Sequence, residues 1–235
     1  NEKTLSGESA PARRKLSPSF SFGYRIFHKP NVKIRFLYKD IFRMPTFNDL
    51  YYTLVGNNNL KPEQTKQFNL GFTGVTKFLV FDYFSFKTDA FYNRIKDKIV
   101  AIPTKNLFVW SMQNVGMVET KGIELQSQIE TKKILTDFTI SSSVNYTYQK
   151  ATDITDKNSA TYGHQIAYIP FETFSALTSL NYKKVSLNYN ILYNGFRYVL
   201  GENIYDNMVP GWWVSDISLL YNFKLKNYTV KFKTE

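Results

Sequence analysis

The sequence predicts an all-β protein, an antiparallel transmembrane β-barrel of which about ten strands are present. Three observations predict this fold class. Apolar and polar residues alternate along many segments, which is typical of strands with one apolar and one polar face. Several segments keep the alternation for ten or more residues, whereas strands of soluble proteins average about 5–6 and transmembrane strands need about 9–11. Short and long connections also follow one another in turn.

Composition narrows the classes of protein. The chain has 235 residues, a net charge of +11, a mean hydropathy of −0.33 and 17% aromatic residues. No segment approaches the roughly 20 consecutive apolar residues of a membrane-spanning helix, and the aromatic content is too high for a disordered basic tail. The chain has no cysteine and two histidines, His28 and His164, which excludes disulfides, thiolate metal sites and a three-histidine zinc site.

The first predicted hairpin shows the alternation clearly. From Phe20 to Ile26 every second residue is apolar. Turn residues follow at 28–31, and the alternation resumes from Val32 to Tyr38. Four further pairs of strands are predicted at 68–72 and 84–92, 123–129 and 138–148, 176–182 and 185–193, and 217–223 and 228–232.

The connections between the predicted strands divide by length. Short turns are predicted near residues 29, 76, 132, 184 and 225, and long loops at roughly 43–66, 95–114, 150–170 and 195–211. Because neighbouring strands are antiparallel, all turns fall at one edge of the sheet and all loops at the other. Short periplasmic turns opposite long extracellular loops are the pattern of outer-membrane barrels.

The polar face of the strands carries charged side chains as well as serine, threonine, asparagine and glutamine. In a barrel this face lines a polar lumen, whereas in a soluble protein it meets bulk water. The alternative to the barrel is therefore a secreted, soluble β-sandwich that binds glycans through exposed aromatic residues. Strand length and loop asymmetry favour the barrel. The charged residues of the polar face are Lys33, Arg35, Lys39, Lys87 and Asp89.

A motif in the first long loop resembles a signature of TonB-dependent outer-membrane receptors. The signature reads Phe-Arg-x-Pro, Leu-Tyr, then Gly-Asn-x-x-Leu-Lys-Pro-Glu. Two later stretches resemble strands of the same family, Asn114-Val115-Gly116 with Thr120-Lys121-Gly122-Ile123-Glu124, and Tyr168-Ile169-Pro170-Phe171. The characteristic residues of the first motif in this chain are Arg43, Pro45, Leu50, Tyr51, Gly56, Asn57, Leu60, Pro62 and Glu63.

The resemblance implies a barrel of about 22 strands filled by a plug domain that contacts TonB. Residues 1–15 are then a polar loop segment, and residues 16–235 a partial barrel from its C-terminal half, without the plug. The implied protein is a Gram-negative, Bacteroidetes-like receptor for a ferric siderophore, cobalamin or haem. Its implied partners are outer-membrane lipid, TonB through the plug, the imported small molecule and, as a further candidate, a surface lipoprotein.

No catalytic constellation or resident cofactor is predicted. His28 falls in a short turn and His164 in a long loop without a convincing set of catalytic partners, so we expect no enzyme. Asp153, Asp156 and His164 share one loop and imitate a metal cluster, but loop acids are far more often solvated. We therefore predict no metal site.

The motif loop has a structural and a functional interpretation. In the structural one, which we favour, two prolines shape the loop and Arg43 pairs with Glu63. In the functional one, Arg43, Tyr51, Tyr52 and residues 57–59 face a ligand. Haem receptors of the family place a histidine between the two halves of the motif, and residues 46–55 contain none, which weighs against haem.

Aromatic and basic residues remain to be assigned. Trp212 and Trp213 begin a predicted strand and fit an interfacial girdle. The best ligand-binding candidates lie deeper in the loops, at Trp110, Tyr162, Arg197 and Tyr198. Many lysines fall in the short turns, where contact with anionic lipid headgroups is a better expectation than nucleic-acid binding. These turn lysines are Lys29, Lys77, Lys132, Lys133, Lys183, Lys184, Lys224 and Lys226.

Overall fold

The computed structural model describes residues 15–103, 109–133, 137–225 and 228–234, and the predicted polar segment at 1–15 therefore lies outside them except for Lys15. Ten strands form one antiparallel sheet in chain order. They are β1 (Ser19–Phe27), β2 (Asn31–Arg43), β3 (Glu63–Phe78), β4 (Phe81–Pro103), β5 (Trp110–Thr131), β6 (Phe138–Asp153), β7 (Glu172–Tyr182), β8 (Val185–Asn194), β11 (Trp212–Leu225) and β12 (Tyr228–Thr234).

Three short elements lie in the connections. Helix α1 (Phe47–Tyr51) follows β2, and the two-residue strands β9 (Arg197–Tyr198) and β10 (Met208–Val209) pair with each other between β8 and β11. A single 3-10 turn at Tyr205–Asn207 precedes β10. None of the helices in the described ranges is long and apolar enough to cross a membrane.

The strand register confirms the two predicted faces. On the apolar face, Phe36 lies between Phe22 and Leu70, and the row continues through Ala90 to Ile123. One residue along, a polar row runs across the same strands. It contains Gly23, Arg35, Gly71, Asp89, Glu124 and Thr147.

The apolar face is exposed rather than packed. Phe22 is 57% exposed and Ile123 is 46% exposed. Soluble monomers rarely expose a contiguous apolar patch larger than a few hundred Å². The buried hydrophobic cluster is small and lies near one end of the sheet, at Ile95, Val118, Ala151 and Ile166. A sheet of this kind is stable when lipid covers its apolar face.

The prediction of a long loop at 95–114 is wrong. Strand β4 continues to Pro103 and β5 begins at Trp110, with the two paired from Lys96 opposite Met117 to Pro103 opposite Trp110. Charged residues between Asn93 and Lys98 interrupt the apolar alternation on which the prediction rested. Strand pairing continues the hairpin through these residues, and we call this part the β4–β5 extension (residues 93–103 and 110–120).

The other connections agree with the predictions more closely. The turn expected near residue 76 is formed by residues 79–80, directly after β3 ends at Phe78. Leu79 adopts a positive φ of 49° there. The turn near 225 falls at 226–227, outside the described residues. The long connections are 44–62, 154–171 and 195–211, and we call the end of the sheet that carries them the loop end.

The connection at 154–171 folds over the polar face of the sheet at its loop end. Ile95, Val118 and Ala151 share that face, and Ile166 packs against them. Gln165 is 1% exposed, but its side chain accepts a hydrogen bond from the Ala151 N–H at 2.8 Å and donates one to the Ile169 carbonyl at 3.2 Å. The buried amide is therefore satisfied, and it attaches this connection to β6.

The topology makes a labelling prediction in the full-length protein. A cysteine replacing Asn158, exposed at the loop end, should react with an impermeant maleimide on intact cells. A cysteine replacing Lys133, exposed at the opposite end, should not react until the outer membrane is permeabilised. The described chain contributes no background because it has no cysteine. Labelling at position 133 alone in intact cells would show that the sheet has the opposite orientation.

Candidate functional site

The motif after β2 folds into a short capped helix. The Thr46 hydroxyl accepts a hydrogen bond from the Asp49 N–H at 3.2 Å, and the Asp49 carboxylate accepts one from the Thr46 N–H at 2.9 Å. This reciprocal capping box satisfies two backbone donors that a helix start leaves unpaired. The chain can therefore turn sharply at the end of β2 and begin α1 without losing hydrogen bonds.

The predicted pair of Arg43 and Glu63 is confirmed. The Arg43 guanidinium donates to both Glu63 oxygens, at 2.8 and 3.0 Å, and Glu63 also accepts a hydrogen bond from the Ile99 N–H at 2.6 Å. Arg43 lies at the rim, at the loop end of β2. The hydrogen bond to Glu63 raises the pKa of the guanidinium above its usual value, against the opposing effect of partial burial. Glu63 thus joins β2, β3 and the β4–β5 extension.

The second half of the motif fastens the loop to β5. The Asn57 amide donates to the Met112 carbonyl at 3.0 Å, and the Met112 N–H donates to the Val55 carbonyl at 2.8 Å. Asn114 accepts a hydrogen bond from the Lys61 N–H and donates to the Lys61 carbonyl, at 2.8 and 2.9 Å. These contacts hold the 44–62 connection against the β4–β5 extension.

Small and apolar motif residues complete the packing. A Cβ on Gly56 would lie 2.6 Å from the Tyr52 nitrogen, so only glycine allows this close turn. Leu60 and Pro62 are buried, and Tyr51 packs on Phe47 with ring centroids 5.0 Å apart. Pro45 and Leu50 are half-buried. The contacts of the motif favour its structural interpretation.

A substitution at Glu63 tests that interpretation. Glu63→Gln should lower the free energy of unfolding by about 1–2 kcal/mol, because a charged acceptor of three hydrogen bonds is lost while Arg43 stays partly solvated. Chemical denaturation of the refolded barrel measures it. Lys61→Gln is the control, since Lys61 contributes backbone bonds only and its side chain is exposed. An equal loss in both variants would contradict the role assigned to Glu63.

The structure places the four predicted ligand residues around two connections and one strand end. Trp110 is the first residue of β5, so the expectation that it lies away from a strand end is wrong. Tyr162 is 38% exposed in the 154–171 connection. Arg197 and Tyr198 form β9, opposite Val209 and Met208. Their role in ligand binding stays a prediction.

Two of these residues, Trp110 and Tyr198, contact Tyr168, which the sequence placed only at the predicted start of a strand. The Tyr168 ring lies 5.0 Å from the Trp110 ring, and its N–H donates to the Tyr198 carbonyl at 2.7 Å. Tyr168 has a positive φ of 63°, which is uncommon outside glycine. The signal available in the sequence was an aromatic residue two positions before the proline of the third motif.

Arg197 and Tyr198 have different surroundings. The Tyr198 ring packs edge-on against Phe171 and Phe196, at 6.4 and 6.1 Å between centroids. One terminal nitrogen of Arg197 is buried and has no hydrogen-bond partner within the described part of the chain. A buried guanidinium nitrogen without a partner is available to an incoming acceptor.

A cavity of about 190 Å³ lies between the β4–β5 extension and the connections at 154–171 and 195–211. Its walls include Val100, Ile102, Val115, Thr161, His164 and Ile166. His164 Nδ1 lies 3.2 Å from the Gly201 carbonyl and 3.3 Å from the Asn203 N–H. The cavity could not be expected from the sequence, in which residues 95–114 were predicted to form a loop.

The acids predicted to imitate a metal cluster have local partners. Asp153 accepts hydrogen bonds from Thr155 and Thr161, and Asp156 accepts one from the Asn158 N–H at 2.9 Å. Within the described ranges, no group of three or more histidine, aspartate or glutamate side chains is placed to hold a metal ion.

An apolar outer face, a polar inner face and long connections gathered at one end define the wall of an outer-membrane transport barrel. The chain belongs to the family described as TonB dependent receptor-like, beta-barrel, which matches residues 3–233. Barrels of this family lie in the outer membrane of Gram-negative bacteria. The apolar face of the sheet therefore faces lipid, and the loop end faces the exterior.

Two curated relatives are vitamin B12 transporters named BtuB. The one from Vibrio vulnificus is 37% identical over 90 residues, which cover 38% of this chain and 14% of the relative. The one from Photobacterium profundum is 31% identical over 116 residues, which cover 48% of this chain and 17% of the relative. The matched regions thus span less than a fifth of each relative's length.

Solved structures show the same fold. BauA, the ferric preacinetobactin receptor from Acinetobacter baumannii, superposes with a TM-score of 0.62 at 18% identity over 92% of this chain and 31% of that one. The copper transporter OprC superposes with a TM-score of 0.63 at 15% identity, over 92% and 32%. The relatives are named as transporters and receptors, not enzymes, and nothing supports the β-sandwich alternative.

Proposed function

We propose that this chain forms part of the wall and the exterior loops of a transporter that imports a scarce nutrient, such as a ferric siderophore, cobalamin or haem. The family and its named relatives support energy-coupled import of a small molecule. Energy reaches such a transporter through TonB and a plug domain. A surface lipoprotein that delivers the nutrient is a further proposed partner.

The observation that carries the proposal is the arrangement of the loop end. The connections at 154–171 and 195–211 are joined by hydrogen bonds between Gln165 and Asn203, and they surround the cavity beside the β4–β5 extension. Trp110, Tyr168 and Tyr198 lie together at the same end. Flat aromatic faces beside a partly apolar cavity suit a large organic ligand better than a hydrated ion.

The residues give some guidance on the ligand. Arg197 offers a buried, unpaired guanidinium nitrogen, which suits an oxygen acceptor such as a carboxylate, catecholate or amide oxygen. Residues 46–55 contain no histidine, which weighs against axial ligation of haem from this segment. A ferric chelate and cobalamin both carry oxygen acceptors and remain the leading ligands of the proposal.

Uptake by cells tests the proposal. Deletion of the gene for the full-length receptor should abolish accumulation of labelled cobalamin or of one labelled ferric siderophore, and a plasmid copy should restore it. A proton uncoupler should block the restored uptake but leave surface binding intact, because only import needs energy from the inner membrane. A panel of ferric siderophores, cobalamin and haem identifies the ligand. Unchanged uptake of the whole panel in the deletion strain would contradict the proposal.

A further inference from the structure

The outward face of the sheet changes from apolar to basic near the loop end. Tyr92 pairs with Lys121, which pairs with Lys150 on the next strand. Two residues further along β4, Arg94 pairs with Lys66. Side chains alternate along strands, so all of these share the outward face with Tyr92. We call the five basic residues of this surface the basic rim, namely Lys66, Arg94, Lys96, Lys121 and Lys150.

Like charges face one another directly in the basic rim. Lys66 is opposite Arg94, and Lys121 is opposite Lys150. Like charges at directly opposite positions of a sheet destabilise it. The two pairs lie side by side in one exposed patch. An anion bound between them would offset the repulsion within each pair.

Two acids lie opposite the five cations of the basic rim, so they neutralise it only in part. Asp40 is opposite Lys66, and Glu119 is opposite Arg94. Glu119 is already engaged, because it accepts hydrogen bonds from the Tyr92 hydroxyl at 2.9 Å and from Lys121 at 3.3 Å. Within the described residues, four rim cations have no ion-pair partner within 4.0 Å. They are Lys66, Arg94, Lys96 and Lys150.

The height of the basic rim in the membrane matches lipid headgroups. The row of Lys121 and Lys150 continues across the neighbouring strands as Tyr92, Phe68 and Tyr38. The ring centroids of Tyr38 and Phe68 are 5.0 Å apart and those of Phe68 and Tyr92 are 6.3 Å apart, and such aromatic rows lie at the membrane interface. A strand rises about 3.3 Å per residue, so Arg94 lies only about 7 Å along β4 from Tyr92. That is the level at which the outer leaflet carries the phosphates of its glycolipid.

From this geometry we infer that the basic rim binds the phosphate groups of an outer-leaflet glycolipid. The acyl chains of the same lipid would cover the apolar row below, where Leu70 and Ala90 are exposed. Continuity between the basic rim and the apolar face favours a lipid headgroup over free phosphate. The site is separate from the cavity, which lies on the opposite face of the sheet, so it does not depend on the imported ligand.

Lipid retention by the purified full-length receptor tests the inference. After extraction from outer membranes in mild detergent, the phosphorylated glycolipid bound per receptor is measured by mass spectrometry. We expect at least about fivefold less glycolipid in a variant that neutralises the unpaired rim cations. That variant combines Lys66→Gln, Arg94→Gln, Lys96→Gln and Lys150→Gln.

A matched control removes the same number of charges at the opposite end, at exposed positions in or next to the turns. It combines Lys77→Gln, Lys133→Gln, Lys183→Gln and Lys184→Gln, and it should retain glycolipid within about twofold of the unmodified receptor. Both variants must fold, as judged by heat-dependent mobility on gels. If the fourfold variant does not fold, the pair Arg94→Gln with Lys150→Gln should still lose about half of the glycolipid or more.

A second measurement identifies the lipid. Delipidated receptor should bind vesicles of phosphatidylcholine that contain bisphosphorylated lipid A, and should bind vesicles with dephosphorylated lipid A at least about fivefold less. Equal retention in the rim variant and the unmodified receptor, equal loss in the control variant, or equal binding to both vesicles would overturn the inference. Complete displacement by inorganic phosphate at low concentration would also overturn it, because a lipid would then not be required.

Discussion

Replacing Val144 with arginine should lower the free energy of unfolding of the full-length barrel by about 2–4 kcal/mol. Val144 lies in the middle of β6 on the lipid face, between Ser127 and Ala176. A guanidinium there sits in hydrocarbon, where it has neither water nor a carboxylate. Ile140, four residues nearer the turn end and opposite Leu180, should behave in the same way with a somewhat smaller cost. Denaturant titration in lipid vesicles measures both.

The neighbouring residue provides the control for Val144. Ser143 lies on the opposite face of β6, between Gln128 and Leu177. Arginine at position 143 projects into the polar lumen, stays solvated and should cost less than about 1 kcal/mol. The same comparison holds for Ser141 and Ile140. Equal costs on the two faces would contradict a barrel in lipid.

Alanine substitutions at the predicted ligand residues should weaken ligand binding by about thirtyfold at the strongest position, or roughly 2 kcal/mol. The residues are Trp110, Tyr162, Arg197 and Tyr198. Binding energy in interfaces is concentrated in a few aromatic and arginine side chains, because these bury a large area at small entropic cost. Arg197, with its unpaired buried nitrogen, should show a large loss. Binding is measured on intact cells with the full-length receptor.

Controls separate lost contacts from lost structure. Tyr198 packs on Phe171 and Phe196, so surface expression must be matched before affinities are compared. Tyr146 and Tyr189 lie in membrane-facing strand positions, and alanine there should reduce stability without changing affinity. If all four loop variants lose less than threefold, the connections in this part of the barrel do not form the binding surface.

The sequence allowed the two faces to be assigned because lipid imposes a strict requirement. Within the hydrocarbon layer the outward residues are predominantly apolar and charged ones are costly, so the alternation around Val144 and Ser143 identifies the faces without any structure. The pair of Arg43 and Glu63 could also be predicted, since the motif places both residues at the ends of adjacent strands. Beyond the lipid this requirement ends. Between Asn93 and Pro103 charged residues such as Arg94 and Lys96 interrupt the apolar alternation, and the side-chain pattern therefore gave no sign of the paired strands.

The candidate site was harder to predict because it depends on distant contacts. Gln165 and Asn203 are 38 residues apart, and no local pattern signals their hydrogen bonds. Tyr168 connects Trp110 to Tyr198 only after two connections and a strand end have come together. Aromatic and arginine residues in the loops could be selected as candidates by type. Their arrangement around Tyr168 required the fold.

The β4–β5 extension has a mechanical consequence. A two-stranded ribbon about 35 Å long, at roughly 3.3 Å per residue, would bend readily if it projected alone from the membrane. Here it is braced at its base by Glu63 and along its side by Asn57 and Asn114. Near its tip, Trp110 packs on Tyr168, so the ribbon behaves as a stiff, supported element. A force applied by a ligand at that tip is carried down the ribbon to the rim of the barrel, instead of being absorbed by a flexible loop.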